Sequence, residues 1–252
     1  MSGFAVISDI HANLGALKTV LADIDKRGVK EIFCLGDIVG YGPEPKGCLD
    51  LIIDRKIASI MGNHDHAVFY EPTNFNTGAE RASYWTRQQL ESEPDKEKRN
   101  RRWSFLGRLP VRLQMGDIMM VHGSPRRPVN EYIFPDNIYT NTAKITAVFE
   151  RVEHLCFVGH THVPGVFLDD PDFYSVDELD YTYPISPNER AIINVGSVGQ
   201  PRDQDTRSSY VVVTPEKVEF VRVKYDIEET VAKILANPAL DDFEGLRLRD
   251  GR

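Results

Sequence analysis

Cysteine is scarce in this sequence, which holds only Cys34, Cys48 and Cys156 among 252 residues. They are odd in number, widely spaced and without a CxxC pair, which argues against a disulfide framework or a thiolate zinc site. We therefore expect three buried thiols that behave as small hydrophobic side chains in a reducing compartment.

Long hydrophobic runs are also missing. No stretch approaches the roughly 18 apolar residues that a membrane span needs. The apolar run near the N-terminus stops at Asp9, is too short for a secretory signal and lacks a basic start. We expect a soluble, cytoplasmic protein without a membrane partner.

Positively charged residues are fewer than negatively charged ones. The sequence has 30 Lys and Arg residues and 38 Asp and Glu residues, which give a net charge of −8. A negatively charged molecule repels polyanions, which disfavours nucleic acid as a partner. The 41% of hydrophobic and 27% of charged residues are ordinary for a globular protein. With this length they predict a single domain over residues 1–252, and homo-oligomer formation is left open.

Short apolar runs alternate with helical patterns at the start of the chain. Residues 4–8 form an apolar run, and hydrophobic residues then recur at helical spacing from the candidate N-cap Asn13 to Gly28. The same pattern recurs from residue 31, and a third strand is expected at residues 57–61. These units predict a parallel sheet with crossover helices.

Strand-like stretches dominate the rest of the chain. They lie at residues 111–113, 118–121, 155–158, 166–168, 191–195, 210–213 and 218–223. Helical patterns are fewer, at residues 77–90 and 227–235. So many strands predict a second, partly antiparallel sheet packed on the first, and hence an α/β fold.

Four segments carry weaker patterns. The mixed charges of residues 93–102 predict a solvated face or loop, and the proline-broken residues 169–187 predict a surface loop. Residues 66–108 are a candidate insert or lid, whose Tyr84, Trp85 and Trp103 would pack in the core or stack on a base. Residues 237–252 form a poorly specified C-terminal tail.

Six of the seven histidines lie just past predicted strands, together with Asp, Asn and Gly. The clusters are Asp9-Ile10-His11, Gly36-Asp37, Gly62-Asn63-His64-Asp65, His122-Gly123 and Gly159-His160-Thr161-His162. Any one of them could be a turn or a helix cap, because Asp and Gly are favoured there for backbone reasons. Five clusters at strand exits are hard to explain as turns, and in an open α/β sheet they would converge on one crevice.

The residue types in these clusters suit metal ions. Imidazole, carboxylate and amide oxygen together favour Mn, Fe, Zn, Co or Ni. Two divalent ions would carry a charge of +4, of which Asp9, Asp37 and a bridging hydroxide would each neutralise one unit. The remaining formal charge of about +1 would attract a phosphate ester. The remaining ligand candidates preserve this charge because they are neutral, namely Asn63, His122, His160 and His162.

In this order the clusters resemble the calcineurin-like metallophosphoesterase superfamily, whose pattern is DxH, GD, GNH[DE], H and GHxH. The stretches GDIVGYGP (36–43), HGSPRRP (122–128) and NVGSVGQPRD (194–203) resemble its compact bacterial and archaeal branch. That branch includes YfcE-like phosphodiesterases and proteins named as diadenosine tetraphosphatases. The likeness covers nearly the whole chain and implies a four-layer αββα sandwich of two mixed β-sheets flanked by helices.

The resemblance also implies a role for each matched position. Asp9, His11 and His162 would bind one metal, Asn63, His122 and His160 the second, and Asp37 would bridge both. His64 would stabilise the transition state or protonate the leaving oxygen, with Asp65 orienting its ring. His66 has no implied role, and we expect a surface or supporting position for it.

Several polar residues near the clusters are candidates for substrate binding. Arg126, Arg127 and Arg202 could hold a second phosphate, because guanidinium groups match phosphate oxygens, and surface solvation is an equal alternative for each. Asn194 and Ser197 would form a tight loop beside the site, with a structural or a substrate-lining role.

The sequence therefore predicts a binuclear metal-dependent phosphoesterase, which would use a metal-bridging hydroxide. Its expected substrates are phosphodiesters or phosphoanhydrides of small, nucleotide-like molecules. We expect two divalent ions, Mn²⁺ first, with Fe, Zn, Ni or Co as alternatives. A nuclease or protein phosphatase on the same site is an alternative, as is a metal-free binding module, which the unbroken ligand set disfavours.

Overall fold

The computed structural model describes residues 3–252, which contain twelve strands and nine α-helices. The strands are β1 (Phe4–Ile7), β2 (Glu31–Cys34), β3 (Ala58–Ser59), β4 (Arg112–Met115), β5 (Ile118–Val121), β6 (Leu155–Val158), β7 (Gly165–Leu168), β8 (Asp172–Ser175), β9 (Thr182–Pro184), β10 (Ala191–Asn194), β11 (Ser208–Val213) and β12 (Lys217–Val223). The helices are α1 (Leu14–Lys26), α2 (Pro45–Asp54), α3 (Asn63–Phe69), α4 (Thr77–Glu91), α5 (Lys96–Leu106), α6 (Asn137–Thr140), α7 (Thr142–Phe149), α8 (Ile227–Leu235) and α9 (Asp242–Leu246).

The first sheet has the strand order β3-β2-β1-β11-β12-β9. Its strands β1, β2 and β3 are parallel, with α1 and α2 as the crossovers, while β11, β12 and β9 pair antiparallel. The helix α1 begins where the sequence predicts, since the Asn13 side chain accepts a hydrogen bond from the Ala16 backbone N–H at 3.1 Å. The predicted parallel βα units are confirmed.

The second sheet has the strand order β4-β5-β6-β10-β7-β8. Its central strands β5, β6 and β10 are parallel, and β4, β7 and β8 are antiparallel to their neighbours. The predicted second, partly antiparallel sheet is therefore confirmed.

The buried strand β1 shows how the two sheets stack. Phe4 and Val6 lie in the core between the sheets together with Phe157 of β6. Ala5 and Ile7 belong instead to the core that α1 and α2 cover. Because successive side chains of a strand point to opposite faces, this one strand contributes to two cores.

A third core lies on the outer face of the second sheet. Ile145 and Phe149 of α7 pack there against Cys156 and Ile192. The layers therefore run helix, sheet, sheet, helix, and the predicted αββα sandwich is confirmed. The prediction of a single domain over residues 1–252 remains a proposal, which the core shared by the two sheets supports.

The cysteines and the helix lengths bear on two further expectations. Cys34, Cys48 and Cys156 are free and buried, which confirms their predicted place in the core. Within residues 3–252, no helix combines the length and the apolar character that crossing a membrane requires.

Residues 169–187 are not the loop that the sequence predicts. They contain β8, which pairs with β7, and β9, which pairs with the edge of β12. Pro184 ends β9 at the rim of the sheet, where a missing backbone N–H costs little. The prolines therefore mark edge strands, and the loop prediction is wrong.

The mixed-charge run is mostly helical. The Asp95 side chain caps α5 by accepting hydrogen bonds from two backbone N–H groups. Arg102 is only 3% exposed, and its guanidinium lies 2.7 Å from Asp50 Oδ2 and 2.8 Å from Glu93 Oε2. The expectation of a solvated segment is wrong for Arg102, because the carboxylates of Asp50 in α2 and of Glu93 in the loop before α5 neutralise its charge.

The candidate insert at residues 66–108 is built mainly from α4 and α5. Leu90 and Leu106 are buried in the core that also holds α2 residues, and Trp103 packs near Phe69 with ring centroids 6.0 Å apart. Tyr84 is 47% exposed, and Trp85 packs beside α8. Core packing is thus the alternative that suits the two tryptophans, and movement of this segment as a lid stays a prediction.

The C-terminal tail is better ordered than its sequence pattern suggests. Leu240 and Leu248 pack with Val231 and Ile234 of α8, and α9 lies between them. This places the buried Glu244 of α9 beside Gln200, whose amide donates a 2.9 Å hydrogen bond to it.

Candidate metal centre

All seven predicted metal ligands lie just beyond strands β1, β2, β3, β5 and β6, six of them in loops and Asn63 at the start of α3. Each is at most 7% exposed: Asp9, His11, Asp37, Asn63, His122, His160 and His162. The expected crevice is not the edge of one open sheet, because β5 and β6 belong to the second sheet. The carboxyl ends of parallel strands in both sheets meet at the same end of the sandwich.

The backbone of these loops is unusual. Five of the seven residues have positive φ angles between 48° and 67°, namely Asp9, His11, Asp37, His160 and His162. Residues other than glycine rarely have φ angles in this region, because each costs about 1–3 kcal/mol of backbone strain. Residues with such strain cluster at functional sites. Hydrogen bonds between the loops hold the conformation, including His11 N–H to Asp37 O at 2.9 Å.

Two glycines permit the close approach of the loops. A Cβ at Gly62 would collide with the carboxylate and the backbone nitrogen of Asp37, and a Cβ at Gly159 would collide with Ser8 and with Asp9 Oδ2. The glycines in GNHD and GHTH therefore allow separate chain segments to come within contact distance of one another.

The first group of candidate ligands is Asp9, His11 and His162. His11 Nε2 lies 3.1 Å from His162 Nε2, and His162 Nε2 lies 3.1 Å from Asp9 Oδ1. The three ligand atoms are all within 4.8 Å of one another and could hold one ion.

The second group is centred on His122. Its Nε2 lies 3.0 Å from Asn63 Oδ1, 3.1 Å from His160 Nδ1 and 3.3 Å from Asp37 Oδ2. The same Asp37 oxygen lies 3.7 Å from His11 Nε2 of the first group. Asp37 thus stands between the two groups, as a bridging carboxylate would.

The donor atoms suit metal ions. Ligands about 2.0–2.1 Å from an ion lie roughly 3 Å from one another, which is the spacing of the imidazole nitrogens in both groups. Asp9 Oδ1 is buried and makes no hydrogen bond among the described residues, although it lies 3.1 Å from His162 Nε2. Buried polar atoms seldom lack partners, so this donor set matches a cation-binding site.

Two of the histidines are oriented by backbone carbonyls. His122 Nδ1 lies 3.0 Å from Leu35 O, and His162 Nδ1 lies 2.6 Å from Gln200 O. Each carbonyl can accept only a ring N–H, which leaves the Nε2 lone pair free to bind a metal.

The protonation states follow from burial and from the carboxylates. Burial lowers the pKa values of His160 and His162 to about 3, so both rings are neutral at pH 7. Burial would also lower the pKa of His122, but the nearby Asp37 and Asp9 carboxylates raise it to about 9. A divalent ion would supply the positive charge that these carboxylates favour, and His122 would then be neutral as a metal ligand must be.

His64 lies beside the two groups. It is 4% exposed, its Nδ1 faces Gly40, and its ring centroid lies 4.9 Å from that of His11. One ring nitrogen of His64 also lies within 4.8 Å of potential ligand atoms of His11 and Asp37. The structure therefore places this ring where it could contact either a substrate or an ion.

Asp65 does not contact the His64 ring in the way the sequence suggests. Its carboxylate accepts hydrogen bonds from the backbone N–H groups of Ile38 at 3.0 Å, Val39 at 3.3 Å and Gly62 at 3.1 Å. The expectation that Asp65 orients the ring is corrected. Asp65 instead holds the loop after Asp37 against the start of α3.

Asn194 and Ser197 use their polar atoms within the protein. Asn194 donates to Gly159 O and Thr161 Oγ1, both at 2.8 Å, and Ser197 Oγ donates to Asp9 O at 2.7 Å. Both side chains are buried. This geometry favours the structural alternative, in which they support the loops that carry the ligands.

The three arginines differ in their surroundings. Arg126 is paired with Glu131, and Arg127 is exposed. Arg202 donates to Gln200 Oε1 at 2.6 Å, and its guanidinium lies 5.8 Å from the centre of the Tyr41 ring. Because the Tyr41 ring lies 4.3 Å from that of His64, Arg202 is the arginine that reaches the site.

The sequence gives little indication of which aromatic residues lie beside the site. Tyr41 and Phe75 lie against the His64 ring, with Phe75 4.7 Å away by ring centroids. His66 is half-buried and lies near Tyr70, outside the cluster. The GYGP context of Tyr41 is the one indication in the sequence that this ring lies near the ligands.

Comparison with known proteins gives consistent matches. The model of the calcineurin-like phosphoesterase superfamily domain matches residues 3–217. An uncharacterised protein of Methanocaldococcus jannaschii is 38% identical over 260 residues, which cover 100% of this chain and 99% of that protein. A metallophosphoesterase from Sphaerobacter thermophilus, known from a crystal structure, is 39% identical with a TM-score of 0.79, and 99% of each chain is covered.

A hypothetical protein from Pyrococcus horikoshii also has a similar structure. Its TM-score is 0.77, and the alignment covers 100% of this chain and 99% of that one. At 20% identity this likeness concerns the fold alone.

Proposed function

We propose that this chain, which belongs to the calcineurin-like phosphoesterase superfamily, uses two divalent ions to hydrolyse phosphodiester or phosphoanhydride bonds of small, nucleotide-like substrates. Membership of the family makes the protein a metallophosphoesterase, a hydrolase that acts on phosphate esters. The observation that carries the binuclear proposal is the position of Asp37 Oδ2, 3.3 Å from His122 Nε2 and 3.7 Å from His11 Nε2.

Each ion would have its own ligands. Asp9, His11 and His162 would hold the first, Asn63, His122 and His160 the second, and Asp37 both. Bound ions would supply an activated water, as a bridging hydroxide, and positive charge for the phosphate oxygens. Mn²⁺ is the first candidate, with Fe, Zn, Ni or Co as alternatives, because nitrogen and oxygen ligands suit all of them.

His64 would act on the substrate. Its ring is fixed between Gly40, Tyr41 and Phe75, next to the ligand His11. A fixed imidazole at this place can stabilise charge on the phosphate or protonate the leaving oxygen.

Arg202 is the best candidate for a second phosphate. Its guanidinium approaches the site through Tyr41, and its Nε is buried without a hydrogen-bond partner among the described residues. A phosphate oxygen could satisfy that group. Arg127 is exposed and could bind a more distant part of the substrate, whereas Arg126 is already paired with Glu131.

The test is hydrolysis of bis-p-nitrophenyl phosphate by the purified protein with Mn²⁺, before and after chelation. We expect metal-dependent release of p-nitrophenol. Asp37→Asn should abolish it, while Asp54→Asn, at a carboxylate whose side chain is 60% exposed, should not. Release that survives chelation, or none with any of the candidate metals, would contradict the proposal.

The alternatives predict different results. A nuclease would bind oligonucleotides with an affinity that falls steeply with salt, which the net charge of −8 disfavours. A protein phosphatase would release phosphate from phosphopeptides, and a metal-free binding module would hydrolyse none of these substrates. We retain the expectation of a cytoplasmic protein, which the three buried free thiols support.

A further inference from the structure

Two aromatic side chains stand out in the loop that follows β5. Tyr132 and Phe134 are 41% and 43% exposed, and their rings are nearly parallel, with 5° between the planes and 5.2 Å between the centroids. Ile133 between them is 2% exposed and lies in the core under α7. Because Ile133 points inward, the two rings are held together on the outer side of the loop.

This aromatic surface is continuous with the candidate metal centre. The Tyr132 ring stacks on His160, with centroids 3.7 Å apart and 18° between the planes. The Nδ1 atom of His160 lies 3.1 Å from His122 Nε2 in the second ligand group. The surface therefore begins one imidazole ring away from the position proposed for a metal.

The loop that carries the rings is fixed by polar contacts. The Glu131 carboxylate accepts a 2.5 Å hydrogen bond from Ser124 Oγ and pairs with Arg126. Ser124 Oγ in turn accepts from the backbone N–H of Arg127 at 3.0 Å. Rings on such a loop lose little conformational freedom on binding a ligand, because their positions are already set.

We propose that the outer face of Phe134, whose other face stacks on Tyr132, binds the planar aromatic group of the substrate, a nucleobase, while its phosphate lies at the metal centre. The inference rests on the proposed function, since it places the two halves of one nucleotide substrate. Any nucleobase can stack on an aromatic side chain, so this surface selects the class of substrate rather than one base. Tyr132 and Phe134 therefore replace Tyr84, Trp85 and Trp103 as the candidate residues for stacking on a base.

The test compares two ligands that share a phosphate. The dissociation constants of adenosine monophosphate and ribose 5-phosphate are measured by calorimetry on the full chain with Mn²⁺. We expect the unaltered protein to bind adenosine monophosphate about tenfold more tightly, which is about 1.4 kcal/mol. Because a change in metal content would weaken both ligands, it cancels in the ratio of the two constants.

Four single variants and one double variant locate the effect. Tyr132→Leu and Phe134→Leu should each bring the ratio toward one, whereas Tyr132→Phe keeps a ring and should preserve it. Tyr139→Leu is the matched control, because Tyr139 is 82% exposed on α6 and outside the aromatic surface. A ratio near one in the unaltered protein, or a ratio unchanged in the Tyr132→Leu, Phe134→Leu double variant, would overturn the inference.

The outcome is separable from that of the proposed function. If the ratio behaves as expected but no diester is hydrolysed with any candidate metal, the aromatic surface is supported and the hydrolysis is refuted. If diesters are hydrolysed and the ratio is insensitive to both rings, only the stacking inference fails.

Discussion

Replacing His64 and Asp37 separately should distinguish catalysis from metal binding. The structure makes this test necessary, because ligand atoms of His64, His11 and Asp37 all lie within 4.8 Å of one another and could themselves hold an ion. We expect His64→Ala to retain both ions and to lower kcat by about 10²–10⁴-fold, the usual contribution of a positioned acid or base. This corresponds to about 2.7–5.5 kcal/mol of transition-state stabilisation.

Asp37→Asn should give the opposite pattern. Asp37 Oδ1 accepts a 2.8 Å hydrogen bond from the His64 backbone N–H, and an asparagine oxygen can accept the same bond. The other oxygen would become an NH₂ group facing His122 and His11, which cannot bind a cation. We therefore expect the fold to persist and the affinity for at least one ion to fall by a hundredfold or more, about 2.7 kcal/mol.

The assay combines metal analysis after gel filtration with hydrolysis of bis-p-nitrophenyl phosphate. Thermal unfolding of each variant checks that the fold is kept, and Asp54→Asn serves as the control for loss of a carboxylate. If His64→Ala proved as poor in metal as Asp37→Asn, His64 would be a ligand and its proposed role would be refuted.

Three further substitutions test the charge, the backbone and the core. Asn63→Asp adds a negative charge to the proposed metal centre, which weakens its attraction for the anionic substrate. The KM for bis-p-nitrophenyl phosphate should rise about tenfold, which is about 1.4 kcal/mol, with both ions retained. An unchanged KM would contradict the charge argument. Gly159→Ala places a Cβ against Ser8 and Asp9 and should lower both Tm and metal affinity, whereas Gly15→Ala, whose Cβ would meet no atom closer than 3.8 Å, should lower neither. Phe157→Ala, between the sheets, should cost about 3–5 kcal/mol in urea unfolding, against less than about 0.5 kcal/mol for the exposed Tyr139→Ala.

The candidate ligands can be predicted from the sequence because both of their signals are local. A short apolar strand followed at once by Asp, His or Asn specifies the edge of a sheet and a metal-binding residue within a few positions. For this reason the sequence alone predicts Asp9, Asp37 and His160 as ligands. Whether they lie in one sheet or two depends on the pairing of β1 with β11 and of β6 with β10, which no local pattern reveals.

Other features depend on contacts between distant segments. Asp65 lies beside His64 in the sequence, yet two of its three partners are the backbone N–H groups of Ile38 and Val39, 27 and 26 residues away. Arg102 looks solvated within a charged run and is buried because Asp50 lies across from it. Nothing in the sequence distinguishes Tyr132 from other loop tyrosines, and only the structure shows that it stacks on His160. In each case a neighbour in space, rather than in sequence, decides the role.

The origin of the ligands implies that metal binding and folding are coupled. The first proposed ion takes Asp9 and His11 from the first sheet and His162 from the second, and the second ion likewise draws on both sheets.

At free metal about 1,000 times the dissociation constant, one ion would add about 4.1 kcal/mol of stability, provided that the unfolded chain does not bind it. At about 2–4 °C per kcal/mol for a chain of this size, chelation should lower Tm by about 8–16 °C per ion lost. Calorimetry with and without chelator measures this shift, with Asp37→Asn as the control that should respond less. A Tm indifferent to chelation in the unaltered protein would mean that the ions do not join the sheets.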